Sequence, residues 1–543
     1  MIYIDPPYNT GKDFVYSDNF TESIDEYVEK SGDFDEEGNR LVKNLDSNGR
    51  FHTDWLNMIY PRLKLARNLL SDDGVIFISI DDNEQANLKK VCDEIFGEQN
   101  FIAQIVVDQT PKNDPLLVAT SHEYMLCYFR NILVSKELQW GSIHPLNREL
   151  NELIKGMSKS EAENTLAKYY TEHNLTKDNI SNYKYVDEGG IFRTGPLDDP
   201  QGKGPRDDRI NLKTGNILKV PSGGWRANID TWNEWVASNL IEFPENDDFL
   251  ASKKTYLSTD KYEVGRSVIK MQGRKATSEL NNLFDGKNVF NNPKSVEIIK
   301  NCIENLNDKS AIVIDFFSGS GTTAEATMKL NAEDGGKRKY ILVQLPEDLD
   351  ENLKNASGKS AQTIKNGIEV LDSLEKPHFI TEIGKERIRR AAKKIKEDFK
   401  DKEGIENLDT GFRVLKLDTS NMRDVYYNPA DIELNVLENQ IDNVKDDRNE
   451  YDLLFQVMLD FGIELSSAIK EFQVGLGKYF SVADGFLCAS FDDDIDTDIV
   501  KAMAKSKASY AIFKDSSFKK DSDRINLEQI FNELSPNTEI KVI

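Results

Sequence analysis

Two short stretches of this chain place reactive groups where a strand ends. The first is Asp5-Pro6-Pro7-Tyr8, which follows the short apolar run Ile2-Tyr3-Ile4. Its two prolines remove two N–H donors and stiffen the turn. The Asp5 carboxylate and the Pro6 carbonyl then present acceptors beyond the strand end. That pair suits a planar amino group with two hydrogens to donate. Accepting both hydrogens leaves the nitrogen lone pair free to attack an electrophile, and Tyr8 is placed to stack on the attached ring. The plainer reading of the same residues is a rigid turn.

The second stretch is Asp315-Phe316-Phe317-Ser318-Gly319-Ser320-Gly321-Thr322-Thr323. An acid closes a buried apolar run, a turn of small residues follows, and a helix begins. Glycines let the backbone come close to a ligand, and a helix start offers free N–H groups. It is not a phosphate-binding P-loop, because Thr322 stands where the lysine belongs. It also lacks the third glycine of the dinucleotide fingerprint. A tight turn with no ligand is the alternative. The two stretches constrain each other, since open α/β sheets bind ligands outside the carboxyl ends of their strands. One is suited to a cofactor, the other to an amine.

The elements that must position them follow a strand–helix–strand rhythm. Leu56, Ile59, Leu63, Ala66 and Leu70 recur on one helical face. Pro61 is expected to kink that helix or restart it, and Gly74 to end it. GVIFISIDD reads as a buried parallel strand. Asp82 and Gln85 resemble a capping pair for a helix bearing Leu88, Val91, Ile95 and Phe96. The rhythm stops after Val107. Residues 108–285 look irregular, with one helical insert from about Glu149 to Glu172. It resumes with PKSVEIIKNCIENL, AIVIDFF, TTAEATMKL and KYILVQL, then a basic amphipathic helix, ERIRRAAKKIKEDF. The expected fold is α/β, a doubly wound Rossmann-like sheet interrupted by an insertion, plus a C-terminal α/β domain. The expected divisions are 1–107, 108–285, 286–425 and 426–543. An interruption of that length is far beyond an ordinary loop, so a functional role is expected for it.

Composition sets outer bounds. The net charge of −25 argues against a uniformly nucleic-acid-binding surface, although a local basic face can still bind. Cys92, Cys127, Cys302 and Cys488 lie far apart without paired metal spacing and read as reduced thiols, so a cytoplasmic location is expected. No apolar run is long enough to span a membrane, and Asp5 breaks the only apolar start that a signal peptide would need. His122 and Glu123 have no further ligand types close by in sequence, so no metal site is expected.

Taken with their order, the motifs resemble the beta class of S-adenosylmethionine-dependent DNA amino-methyltransferases. The finer likeness is to the modification (Mod) subunit of type III restriction-modification systems. IYIDPPYNTG, WLNMIYPRLKLARNLL, GVIFISIDDNE, SHEYMLCYF, NVFNNPKSVEIIKNCI, VIDFFSGSGTTAEA, KYILVQLPE and ERIRRA all carry it. It covers residues 1 to about 425 and continues more loosely beyond. The resemblance implies methyl transfer from S-adenosyl-L-methionine to the exocyclic amine of an adenine flipped out of double-stranded DNA. It assigns Asp5, Pro6, Pro7 and Tyr8 to the amine. It assigns Asp315, Phe316, Phe317, Gly319, Gly321, Thr322, Thr323, Gln344, Pro293, Lys294 and Ser295 to the cofactor. It makes 108–285 a target-recognition region, with Arg193, Lys203, Arg206, Arg209, Arg226, Lys253, Lys254 and Arg274 as DNA-binding candidates. For any one of these cations, a plain surface charge is the alternative. The basic helix from Arg387 to Lys396 reads as a solvated face.

The resemblance also implies a Mod homodimer and a Res partner carrying ATP-driven cleavage. Family members usually carry a segment ahead of the opening strand, so the fold is expected to begin before Met1. Two other readings stand beside the main one. One is a DNA-binding specificity subunit without methyl transfer. The other is methylation of the cytosine exocyclic amine. Against the latter, Asp5 occupies the position where many cytosine enzymes use Ser.

Overall fold

The computed structural model describes residues 1–10, 14–16, 41–43, 51–108, 120–135, 140–141, 146–176, 179–257, 265–270, 275–423, 444–493, 495–518 and 520–543. They divide into two compact units, Met1–Thr410 and Gly411–Ile543.

The first unit is built on a seven-stranded sheet. In chain order its strands are β1 (Ile2–Ile4), β2 (Val75–Ile80), β3 (Phe101–Asp108), β4 (His122–Phe129), β5 (Val268–Lys270), β6 (Ile312–Asp315) and β7 (Lys339–Leu342). In space the order is β5-β3-β4-β2-β1-β6-β7. β4 runs antiparallel to both neighbours, and the other pairs are parallel. β1 and β2 are buried throughout, which is why they read as unbroken apolar runs.

Helices cover both faces. On one, α1 (Phe51–Leu69) and α2 (Gln85–Cys92) set Trp55, Ile59, Leu63 and Leu88 against Ile2, Ile4, Ile76 and Ile78. On the other, α3 (Val296–Glu304) and α4 (Thr322–Asp334) set Ile299, Ile303 and Leu330 against Tyr3, Phe77 and Val313. The sheet is therefore doubly wound, as the rhythm of the sequence required.

Three local expectations change. α1 runs through Pro61 without a break. Gly74 does not cap it: the helix stops at Leu69, and a Cβ on Gly74 would lie 2.8 Å from the Ser71 carbonyl oxygen, so close backbone approach is what requires glycine there. Asp82 and Gln85 do not cap α2. Glu84 is its N-cap residue, without a side-chain cap bond, because its carboxylate turns inward, and Gln85 reaches Gln104 at 2.5 Å instead.

Residues 108–285 contribute to the core as well as interrupting it. SHEYMLCYF contains β4, in the middle of the sheet, and β5 forms its edge. The helical insert is two helices, Leu146–Leu153 and Lys159–Glu172, parted near Gly156, whose φ is +79°. A four-stranded antiparallel sheet follows, in the order Tyr185–Asp187, Gly190–Pro196, Ser252–Tyr256, Ile241–Glu242.

The second unit starts at Gly411, so the stretch GFRVLKLD that follows belongs to it rather than to the block expected at 286–425. The physical reason is Arg413, which donates to the Leu465 and Ser467 carbonyls. The boundary expected at 425 falls among residues 424–443, outside the described residues. A five-stranded mixed sheet forms this unit, its last three strands parallel and joined through helices Thr497–Ser506 and Asp521–Leu534.

Candidate active site

Asp5 and Asp315 leave neighbouring parallel strands at the same sheet edge, because Ile2 pairs with Ile314. β4 delivers a third group there. Running antiparallel to its neighbour β2, it begins where β2 ends, with Tyr124 opposite Ile80. Glu123, beside Tyr124, therefore reaches the carboxyl edge. Lys294, two residues before α3, supplies a fourth.

These groups meet. Lys294 Nζ donates to both Glu123 oxygens at 2.9 Å and to Tyr8 Oη at 2.5 Å. Tyr8 Oη in turn donates to Glu123 Oε2 at 3.1 Å. The ammonium also lies 4.9 Å from the centre of the Tyr8 ring. Asp5 Oδ1 is ion-paired to Lys294 Nζ at 3.2 Å, a contact less well aligned than the hydrogen bonds the ammonium gives to Glu123 and Tyr8. Burial raises the Asp5 pKa, with Lys294 opposing and the like charge of Glu123 adding to it. Burial would lower Lys294, but Asp5 and Glu123 outweigh it and hold it above its ordinary value. The Tyr8 hydroxyl is pushed well up by burial and by the two carboxylates.

The loop carrying Asp5 to Tyr8 is tied down from beneath. Trp55 Nε1 donates to the Pro7 carbonyl at 2.7 Å. Asn9, at φ +59°, donates to Glu84 Oε1 at 2.6 Å. Glu84 is fully buried and also meets His52 at 2.6 Å and Asn87 at 2.8 Å. A buried carboxylate with several partners fixes a loop firmly, because losing any partner leaves charge or polarity stranded.

The Asp315 turn is shaped by its own acid. Oδ1 accepts from the Phe317 N–H at 3.1 Å and Oδ2 from the Thr323 hydroxyl at 2.5 Å. Burial raises its pKa to about 7. Asp315 thus builds the turn rather than presenting a free carboxylate. Gly319 (φ +48°) and Gly321 (φ +80°) need the left-handed region, and a Cβ on Gly319 would stand 3.0 Å from Phe290. Gln344 Oε1 accepts from the Gly319 N–H at 2.8 Å, which ties the end of β7 to the turn. Thr322 and Thr323 are buried, while Phe316 and Phe317 are half-buried with ring centres 5.5 Å apart. Glycine turn, half-buried aromatic rings and a helix start without a side-chain cap fit the methionine and adenosyl parts of the implied cofactor. Pro293 and Ser295 are buried beside this edge, but Lys294 belongs to the Asp5 group rather than to the turn.

One element overturns its expected role. Arg387 on α5 (Ile380–Asp398) is 1% exposed, not solvated. It donates to Glu325 at 2.9 Å, Ser320 Oγ at 2.5 Å and Thr322 Oγ1 at 2.6 Å, and so grips the turn from behind.

The DNA-binding candidates divide by burial. Arg193, Lys203, Arg206 and Arg226 are exposed, and Lys253 is half-buried with its ammonium 3.7 Å from the centre of the Trp235 ring. Arg209 is 2% exposed, paired with Asp207 and held between Trp225 and Trp232. Lys254 is 6% exposed and paired with Asp187 and Glu242. These two cations hold the insertion together and are withdrawn as DNA contacts. Arg274 lies outside the described residues.

Sequence reasoning missed Glu123, Glu84, Ser320 and Glu325. Glu123 could be found only by seeing that SHEYMLCYF is a core strand of reversed direction.

Comparison with known proteins adds the family. A model of DNA methylases matches residues 1–394. The type III restriction-modification enzyme EcoP15I Mod subunit of Escherichia coli is 36% identical, over 77% of this chain and 61% of that one. The StyLTI Mod subunit of Salmonella typhimurium is 34% identical, over 76% and 56%. The type II methyltransferase M.KpnI of Klebsiella pneumoniae is 30% identical, over 63% and 74%. The chain thus spans somewhat more than half the length of the Mod subunits it matches.

Proposed function

The chain belongs to the DNA methylase family, and from that premise we propose that it methylates the exocyclic N6 amine of an adenine flipped out of double-stranded DNA. The observation that carries this reading is the placing of Asp5 and the glycine turn at one carboxyl edge, at the ends of neighbouring parallel strands. Asp5 is held there by an ion pair to Lys294 rather than by an aligned hydrogen bond, so an incoming amine can take its oxygen.

S-adenosyl-L-methionine is the methyl donor of the family, and bound at the turn it supplies a methyl group already activated on a sulfonium. The chain's own residues then orient the amine. Asp5 and the Pro6 carbonyl accept its two hydrogens, which would free the nitrogen lone pair to form the new carbon–nitrogen bond as the methyl carbon–sulfur bond breaks and its electron pair leaves with the thioether. The proton that the nitrogen sheds passes to Asp5, whose raised pKa suits it as an acceptor. Tyr8 stacks on the base. Positioning and electrostatics supply much of the acceleration.

The part of residues 108–285 outside the seven-stranded sheet serves as target-recognition region, its exposed arginines and lysines meeting phosphates. Likeness to Mod subunits supports a role as modification and recognition subunit of a type III system, as a homodimer, in the cytoplasm, with cleavage left to a Res partner. No helix among the described residues is long and apolar enough to cross a membrane.

The test is incubation with S-adenosyl-L-methionine and synthetic duplexes, followed by nucleoside mass spectrometry. N6-methyladenine is expected, and methylcytosine alone refutes the adenine assignment. Asp5→Ala abolishes transfer while calorimetry still records cofactor binding. Tight DNA binding with no transfer by the intact chain supports the binding-only alternative instead.

A further inference from the structure

Asp5 is ion-paired to Lys294 at 3.2 Å, yet the ammonium directs its aligned hydrogen bonds elsewhere, and the reason lies in Glu123. We propose that Glu123 is a positioning residue of this site, holding Lys294 and Tyr8 so that the ammonium does not settle on Asp5. The inference rests on the methyl-transfer reading above.

Lys294 has three N–H donors. They serve both Glu123 oxygens at 2.9 Å and Tyr8 Oη at 2.5 Å, while Asp5 Oδ1, at 3.2 Å, receives none in hydrogen-bond geometry. The Lys294 side chain is 17% exposed, so its charge must be paired. Without Glu123 the remaining carboxylate in contact is Asp5, already within hydrogen-bond distance, and a small reorientation of the ammonium completes a direct bond. The acceptor meant for the amine is then consumed. Tyr8 loses an anchor as well, because its hydroxyl donates to Glu123. Glu123 is suited to this work because its backbone is locked in the ladder opposite Val107, and a side chain on a strand is held more tightly than one on a loop. The other charged or titratable groups facing Asp5 are Tyr3, from β1, and Asp315, from the neighbouring turn. Neither can replace Glu123 as a partner for Lys294, since Tyr3 bonds Ser79 and both Asp315 oxygens are taken.

The experiment compares the intact chain with E123Q and with the double variant E123Q/K294Q. E123Q keeps an amide oxygen for Tyr8 but removes the charge that holds the ammonium. In E123Q, kcat is expected to fall about 10- to 100-fold, with the KM for S-adenosyl-L-methionine changed less than about 2-fold. The acidic limb of its pH–rate profile moves to lower pH, because Lys294 on Asp5 and the loss of a like charge both favour the carboxylate. In E123Q/K294Q, part of kcat returns, since no ammonium is left to occupy Asp5. That gain is non-additive by at least about 5-fold, and a scaffolding role for Glu123 does not produce it. Calorimetry with the cofactor shows that each variant is folded. An E123Q chain with wild-type kcat and an unmoved acidic limb overturns the inference alone, and so does a double variant slower than E123Q. An unsubstituted chain that transfers no methyl group at any pH overturns the methyl-transfer reading, and this inference with it.

Discussion

Arg387→Met separates the grip on the glycine turn from the chemistry in front of it. Methionine fills most of the arginine's volume, so little cavity is created and the effect is electrostatic. What is lost is a guanidinium only 1% exposed, bonded to Glu325, Ser320 and Thr322. The two hydroxyls can turn toward each other, standing 3.4 Å apart. Glu325 cannot compensate in that way, because its side chain is 15% exposed and its charge is left without this partner. Removing one member of a buried pair costs about 3–5 kcal/mol. Some water reaches Glu325, so the lower end, about 3 kcal/mol, is expected. All five tryptophans lie in Met1–Thr410, so their fluorescence during urea unfolding follows that unit alone. Adding Glu325→Gln removes the stranded charge, and the double variant should be more stable than Arg387→Met by about 1–2 kcal/mol. Cofactor affinity should drop in the single variant, because Ser320 and Thr322 flank Gly321. A loss below about 1 kcal/mol, or strictly additive losses in the double variant, would refute the claim that this pair secures the turn.

Asp315 makes stability depend on pH. Its folded pKa of about 7 lies above the ordinary carboxylate value of 3.8, so the native chain keeps a proton that the unfolded chain releases. Its contribution is fully present below about pH 4 and is lost as pH rises through about 7, amounting to at most about 4 kcal/mol. Asp315→Asn should remove that slope in urea titrations at several pH values, whereas Asp315→Ala should weaken cofactor binding first. Gly319→Ala forces a Cβ to 3.0 Å from Phe290 at φ +48°, so a stability loss of about 1–2 kcal/mol and a larger loss of cofactor affinity by calorimetry are expected. Glu84→Ala removes a shared acceptor of Asn9, Asn87 and His52 and loosens the Asp5 loop, for a loss of about 1–3 kcal/mol in all, which thermal melting and kcat together would register. Arg226→Ala should weaken duplex binding and lower the salt slope by about 1, while Arg209→Ala should instead melt the insertion.

Much of the site was legible in the sequence because its two loops are local events. Two prolines after an apolar strand stiffen the Asp5 turn whatever surrounds it, and glycine is needed wherever φ turns positive, as at Gly319 and Gly321. The strands β1, β2 and β6 declared themselves by continuous apolar residues, since both sheet faces are covered. Other features depended on direction and partner, which no local pattern encodes. Glu123 is an ordinary acid in a strand until β4 is known to run against its neighbours, which brings its first residues to the carboxyl edge. Lys294 is assigned to the cofactor by the resemblance until Asp5 and Glu123 are seen to surround it. Arg387, Arg209 and Lys254 read as surface charge because composition cannot show that a carboxylate waits opposite each of them. Burial of a charge is settled by its partner, and the partner is chosen by the tertiary fold. The sequence by itself determined the turn chemistry of the Asp5 and Asp315 loops and the rhythm of the sheet. Only the tertiary structure decided which charges face Asp5, because strand direction sets which side chains reach its edge.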